Sequence, residues 1–240
     1  MRLLLISNST NSGGAYLEHP MAQIRDFLGD NRLRCVFIPY AGVTIGHDEY
    51  TAKVRSRFAE CGHDVISVHE TRDPLKTLEN AQAIIVGGGN TFRLLSRMQE
   101  EGMLRVIRER IHAGFPYIGW SAGANMACPT IRTTNDMPVV EPSDFRALGL
   151  IPFQINPHYT DLHPEGHAGE TREMRISEFL ELNPDIWVAG LREGTMFMIE
   201  GSRVELIGPR PARLFRKGTE TFERRSGEDF SFLWGNESGS

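Results

Sequence analysis

Pro116-Tyr117-Ile118-Gly119-Trp120-Ser121-Ala122-Gly123-Ala124-Asn125 passes from an apolar run through a Gly-x-Ser-x-Gly pattern into a stretch of small residues. A short, continuously apolar segment bounded by glycine predicts a buried strand, and the small residues after it predict a helix start. A chain that turns this sharply from strand to helix brings together the side chains two places either side of the serine, so both become glycine. The serine is left pointing off the strand end, beside the unpaired N–H groups of the helix. That is the geometry of a nucleophile elbow. The plain alternative is a tight turn with an incidental serine; the strand before it and the helix after it favour the elbow.

The same alternation runs through the first half of the chain. Residues 3–7, 33–39, 64–69 and 83–86 are short apolar runs. Between them lie helical patterns: Tyr50, Val54 and Phe58 at spacing four, Leu94, Leu95 and Met98, then Leu104, Ile107 and Ile111. Asp73-Pro74 reads as a helix start, with Gly102 and Gly114 as C-terminal caps. This βαβ rhythm predicts an α/β fold, a mostly parallel sheet with helices on both faces. After about residue 130 the rhythm changes. Residues 131–144 and 158–170 read as loops, 150–155 as an apolar strand and 173–182 as a helix. Residues 186–191, 196–199, 204–207, 213–216 and 219–224 read as C-terminal antiparallel strands in hairpins flanking the main sheet. The expected organisation is one domain over residues 1–232 and a disordered tail over 233–240.

The chain has 240 residues and a formal charge of 26 − 31 = −5. An acidic chain gains nothing from a phosphate backbone or an anionic membrane, so neither nucleic acid nor membrane is an expected partner. Cys35, Cys61 and Cys128 are odd in number, with no Cys-x-x-Cys pair, which argues against a disulfide framework and a thiolate zinc site and suits a reducing, cytoplasmic compartment. The opening apolar run stops at Ile6 and meets a polar stretch, so it reads as a first strand rather than a leader.

A serine nucleophile needs a base, an acid to orient that base, and donors for the oxyanion. Gly87-Gly88-Gly89-Asn90 ends a predicted strand, lacks the spacing of a phosphate loop, and offers the N–H of Gly88 or Gly89 beside that of Ala122. Of eight histidines, His158 follows the apolar run 151–155 through Asn156-Pro157, a turn that aims it at the sheet end. His158, His163 and His167 have a metal-like spacing, but Pro164 and Gly166 break the helix that would align them, and no metal or cofactor is expected. Glu193, after the run 186–191, and Asp136 both compete for the acid. Asp136 has the Ser, acid, His chain order of α/β-hydrolases but lies only 15 residues after the serine (136 − 121). Arg172, just past the 158–170 loop, is the expected reader of a substrate carboxylate, since a buried carboxylate needs a cation and arginine can bond it bidentately.

Gly87–Phe92, Gly119–Asn125, Thr133–Pro138, Gln154–His158, Pro164–His167 and Gly169–Glu173 together resemble the Ser-His-Glu serine peptidase family of α-aspartyl dipeptidases, over nearly the whole chain. The resemblance implies a fold related to class I glutamine amidotransferases, with serine in place of their cysteine. It implies Ser121 as nucleophile, His158 as base and Glu193 as orienting acid, cleaving dipeptides with an N-terminal aspartate without metal or cofactor. It places Asp136 at a position important for activity, where it binds substrate or supports the loop, and adds Asn90 to the substrate-binding set. A monomer or homodimer is expected. One departure stands out: Arg192 precedes Glu193 where proline is expected. A cyanophycinase-like β-aspartyl exopeptidase, an esterase and a non-catalytic acidic-peptide binder are the alternatives, the last disfavoured by the intact Ser121, His158 and Glu193.

Overall fold

Residues 1–162, 166 and 169–235 are described by a computed structural model. The apolar runs of the first half form parallel strands: β1 (Arg2–Ile6), β2 (Arg34–Ile38), β3 (Asp64–Ser67), β4 (Ala83–Val86) and β5 (Pro116–Trp120). They lie in the order β3-β2-β4-β5-β1. Side chains alternate across a strand, and here both faces are dry, so the runs are apolar throughout instead of alternating. Leu4, Ile6, Cys35, Phe37, Ala83 and Ile85 pack under α1 (Met21–Leu28) and α2 (His47–Ala59). Leu3, Leu5, Val36, Ile38, Ile84 and Val86 pack on the other face, under α4 (Thr91–Glu100) and α5 (Met103–His112). Between β3 and β4, Asp73 caps α3 (Pro74–Glu79) by accepting from the Lys76 N–H at 3.0 Å. Gly102 at φ +67° and Gly114 at φ +96° end their helices in the left-handed conformation that favours glycine.

The second half departs from simple flanking hairpins. β8 (Met196–Glu200) and β9 (Arg203–Ile207) form a hairpin that extends the main sheet by antiparallel pairing of β8 with β1. A separate sheet has the order β11-β10-β7-β6, from β6 (Gln154–Tyr159), β7 (Val188–Arg192), β10 (Ala212–Phe215) and β11 (Phe222–Arg224). β7 is buried along its length and pairs parallel with β6, with α7 (Arg172–Leu182) in the crossover between them. Asn156-Pro157, expected as a turn, lies inside β6. Its register breaks between Pro157 and Tyr159, at a bulge, which is where a strand tolerates proline. β3 stops at Ser67 rather than running on to His69: Ser67 and Glu70 cap a short 3-10 turn, with the Ser67 N–H donating to Glu70 Oε2 at 3.0 Å.

The chain stays packed beyond the point where a tail was expected. Ser231–Trp234 is a 3-10 turn with Leu233 buried, Phe230 against Phe197 and Trp234 against Phe153. Aromatic burial holds it there, and the rest of the expected tail, 236–240, lies outside the described residues. No described helix is long and apolar enough to cross a membrane.

Candidate active site

Ser121 stands between β5 and the short helix α6 (Ala122–Asn125) at φ +53°, ψ −114°. A non-glycine residue in this region stores of order 1–3 kcal/mol of strain and persists only where its surroundings fix it. Here the fixing is steric. A Cβ on Gly119 would lie 2.3 Å from the Gly123 carbonyl oxygen, and one on Gly123 would lie 2.1 Å from that of Val86. The Ser121 N–H donates to the Ile6 carbonyl at 2.9 Å, tying the elbow to β1. As the first residue of α6, Ala122 has an N–H with no intrahelical acceptor.

His158 also sits at φ +53°, in the bulge of β6. Its Nε2 is 2.9 Å from Ser121 Oγ, and its Nδ1 is 2.7 Å from Glu193 Oε1. A carboxylate at Nδ1 keeps the proton on that nitrogen, leaving Nε2 free to accept from the serine hydroxyl. The His158 and Glu193 side chains are 40% and 48% exposed, open enough for a substrate to reach. Ser7, at the end of β1, holds the bulge: its Oγ accepts from the His158 N–H at 2.9 Å and donates to the Leu191 carbonyl at 2.7 Å. Asn8 holds the next turn, accepting from the Gly194 N–H at 2.8 Å, where φ is +81°.

Arg192, found where proline was expected, anchors the strand end that presents Glu193. Its guanidinium reaches Asp161 at 2.7 Å, Glu223 at 2.5 Å and the Pro211 carbonyl at 2.7 Å, and lies 5.4 Å from the Tyr159 ring centroid. Burial alone would lower its pKa; the two carboxylates outweigh that and raise it. The Arg192 carbonyl accepts from both the N–H and the hydroxyl of Thr195.

The glycine loop after β4 lies against the elbow. A Cβ on Gly88 would sit 2.9 Å from Trp120 Cδ1 and 3.0 Å from Ser121 Cβ, and Gly89, at φ +132°, has no room for one beside the Ala41 carbonyl, 2.3 Å away. The loop leads into α4. Asp136 belongs to that junction, not to His158: its Oδ2 accepts from the Thr91 N–H at 2.7 Å, the Thr91 hydroxyl at 2.5 Å and the Thr134 hydroxyl at 3.0 Å. A carboxylate at a helix N-terminus is favourable both as a hydrogen-bond acceptor and against the dipole. The Asn90 side chain caps the same helix, accepting from the Arg93 N–H and donating to the Met137 carbonyl. The expected substrate contacts of Asn90 and Asp136 thus fall on residues whose side chains hold the loop.

A cleft of about 470 Å³ opens at Ser121 and His158. Tyr16, Val43, Ile45 and Val139 contribute to its wall, and among the described residues that line it His158 is the one imidazole and there is no carboxylate, lysine or arginine. Arg172, the first residue of α7, lies outside that lining. It donates to Asn135 Oδ1, which also accepts from Asn156 Nδ2 at 2.7 Å, while Asn135 Nδ2 donates to the Pro157 carbonyl at 2.7 Å. Arg172 is therefore tied by side-chain bonds to the strand that carries His158. It has no carboxylate partner among the described residues: Glu173 pairs with Arg213 and Glu170 with Arg175. Burial, and then Arg175, lower its pKa.

His163 and His167 lie outside the described residues, and among those described no group of three or more His, Cys, Asp or Glu side chains could hold a metal. Burial pushes the Cys35 and Cys128 thiols up to about 12, far from thiolate chemistry at neutral pH. Sequence reading passed over Ser7, Asn8 and Asn135. Ser7 and Asn8 do follow a parallel strand, which is where open α/β sheets place their ligands, and that signal was available.

The model of peptidase family S51 matches residues 3–207. Peptidase E of Streptomyces coelicolor is 53% identical over 234 residues, covering 97% of this chain and 95% of that protein. Peptidase E of a Nostoc species is 48% identical over 232 residues, 97% and 96% of the two chains. The crystal structure of a peptidase from an acI-B1 Actinobacterium superposes with a TM-score of 0.70 over 96% of each chain at 17% identity, a likeness of fold.

Proposed function

This chain is a serine peptidase that belongs to family S51, and from that premise we propose that it hydrolyses dipeptides with an N-terminal aspartate through an acyl-enzyme on Ser121. The observation that carries the reading is His158 held between Ser121 Oγ and Glu193 Oε1, at 2.9 and 2.7 Å. His158 Nε2 takes the hydroxyl proton as Ser121 Oγ attacks the peptide carbonyl. The N–H of Ala122 and that of Gly88 or Gly89 hold the oxyanion. The imidazolium, stabilised by Glu193, gives its proton to the leaving amine, and water repeats the cycle on the ester.

Arg172 supports the aspartate preference. A half-buried guanidinium without a carboxylate partner among the described residues is a waiting partner for one, and its fork can take two parallel bonds. Among the described residues the cleft beside Ser121 has no lysine or arginine to neutralise an aspartate side chain, so it suits the leaving residue.

The test is a panel of dipeptides beginning with Asp, Asn, Glu and β-linked Asp, run on the wild type, Ser121→Ala and Arg172→Met. Ser121→Ala should fold and lose all but a trace of hydrolysis. Arg172→Met should lower kcat/KM for Asp-X by about 2–4 kcal/mol, the scale of a lost charge-assisted buried pair, and for Asn-X by much less. Activity in Ser121→Ala would overturn the serine mechanism. Faster turnover of the β-linked substrate would reassign the peptide, and equal losses on Asp-X and Asn-X would move the carboxylate reader elsewhere.

A further inference from the structure

Tyr50 comes from α2, on the face of the main sheet remote from α4, and its hydroxyl ends between the two backbone segments that meet at Ser121. It donates to the Gly88 carbonyl at 2.9 Å and accepts from Trp120 Nε1 at 3.1 Å. An indole N–H can only donate, so it fixes the direction of the whole chain: Trp120 N–H to the Tyr50 oxygen, Tyr50 O–H to the Gly88 carbonyl. The tyrosine is held from three further sides. Tyr16 meets both Tyr50 and Trp120 edge-on, with ring centroids 6.4 and 6.3 Å apart, and Phe37 meets Tyr50 at 5.1 Å. Gly87 completes the fit, since a Cβ there would lie 2.6 Å from the Tyr50 oxygen. Burial raises the phenol pKa, so the hydroxyl keeps its proton and remains a donor.

The Gly88 carbonyl and the Gly89 N–H belong to one peptide unit. In a trans peptide they point to opposite edges, and the described chain has no cis peptide bond. With the carbonyl drawn to Tyr50, the Gly89 N–H leaves the opposite edge. Gly89 is exposed and lines the cleft with Ser121. Gly89 N–H has no acceptor among the described residues. Trp120 is the residue before Ser121, so the same hydroxyl also braces the elbow that carries the Ala122 N–H.

We propose that Tyr50 is a positioning residue for the oxyanion site: by clamping the Gly88–Gly89 peptide to Trp120 it sets the Gly89 N–H in place before substrate arrives. The inference rests on the acyl-enzyme reading above and adds to it a residue whose hydroxyl acts through the backbone of the site. Preorganised donors matter where charge develops and little in the ground state. Losing one oxyanion donor outright costs on the order of 10²–10³ in kcat, so loosening one costs less.

Tyr50→Phe deletes the hydroxyl and keeps the ring. It should lower kcat by roughly 10–100-fold with KM for an Asp-X dipeptide almost unchanged. An α-aminoboronic acid analogue of aspartate, which forms a tetrahedral adduct on a catalytic serine, should bind more weakly by about the same factor. Free aspartate, tested as a product inhibitor, should bind as before. Trp120→Phe removes the donor to Tyr50 and serves if Tyr50→Phe does not fold; it should shift kcat and boronate affinity in the same direction by a smaller factor. Unchanged kcat in a folded variant, or equal weakening of boronate and aspartate, would overturn the role of Tyr50. A wild type that neither hydrolyses Asp-X nor takes the boronate would instead overturn the acyl-enzyme reading, and this inference with it.

Discussion

Ser121 and His158 share an uncommon backbone geometry for residues with a side chain, φ +53° in both, yet they are held there by different means. Around Ser121 the device is shape: Gly119, Gly123 and Gly88 let neighbouring backbone come close enough to leave no other path. Around His158 the device is polar bonding over long sequence distances, with Ser7 taking the His158 N–H, Asn8 the Gly194 N–H, and Arg192 gripping Asp161 and Glu223. The two arms also belong to different sheets, one to the end of β5 and the other to the ends of β6 and β7. A site assembled this way has one half that fails through crowding and another that fails through loss of single hydrogen bonds.

The largest expected effect tests whether the polar arm ends on the carboxylate that the geometry puts against His158. Glu193→Gln should lower kcat by roughly 10²–10⁴-fold, because a neutral amide neither fixes the tautomer nor stabilises the imidazolium. Asp136→Asn should act mainly on the loop and the start of α4, lowering stability by about 1 kcal/mol through the lost charge at the helix N-terminus. Steady-state kinetics and thermal unfolding of the two variants separate these effects. A larger fall in kcat for Asp136→Asn than for Glu193→Gln would reverse the assignment of the two carboxylates.

A pair of alanine substitutions probes shape against bonding directly. Gly123→Ala drives a Cβ to 2.1 Å from the Val86 carbonyl, against rigid backbone at the C-terminal end of β4, and should cost more than about 3 kcal/mol or prevent folding. Gly190→Ala in β7 meets the buried ring of Tyr159 at 2.7 Å, side chain rather than backbone but packed against Phe215, and should cost about 1–3 kcal/mol. Chemical denaturation gives both values. Equal costs would mean that the elbow is no more rigid than the second sheet.

This difference explains what was legible in the sequence. Residues 83–86 read as a strand with its true bounds, because a parallel strand buried on both faces is a continuous apolar run. The elbow was legible because its steric demand is met within five residues, by Gly119 and Gly123. His158 and Glu193 were reached through the family resemblance and their places near strand ends; composition and spacing alone left Asp136 in contention. The bulge at Pro157 read as a turn because its proline and positive φ are local, while the pairing with β7 that keeps it in a sheet comes from residues 188–192. Ser7 is the extreme case: its partners lie 151 and 184 residues away, and nothing beside it in the chain announces them.

Ser7 also gives a smaller expected fall in kcat than Glu193 and the finest test of the comparison. Its side chain is buried, and one hydroxyl serves both the bulge of β6 and the end of β7. Ser7→Ala leaves the His158 N–H and the Leu191 carbonyl without that partner. A buried polar group left unsatisfied costs about 1–3 kcal/mol, and local relaxation should hold the total for this pair near 2 kcal/mol. The Ser7 N–H keeps its bond to the Thr195 carbonyl at 3.0 Å, so the β1 end itself should stay in place. What loosens is the backbone of His158, and with it the 2.9 Å approach of Nε2 to Ser121 Oγ. The expected kinetic result is a fall of kcat by roughly 10-fold with little change in KM, since the substrate-contacting groups are untouched. Ser7→Gly should be milder than Ser7→Ala, because the space it opens, bordered by a donor and an acceptor, suits a bridging water. If Ser7→Ala loses stability but keeps the kcat of the wild type, His158 is held by its ring bonds to Ser121 and Glu193 alone. The polar arm would then be as self-contained as the serine arm, and the contrast between the two would concern folding, not catalysis.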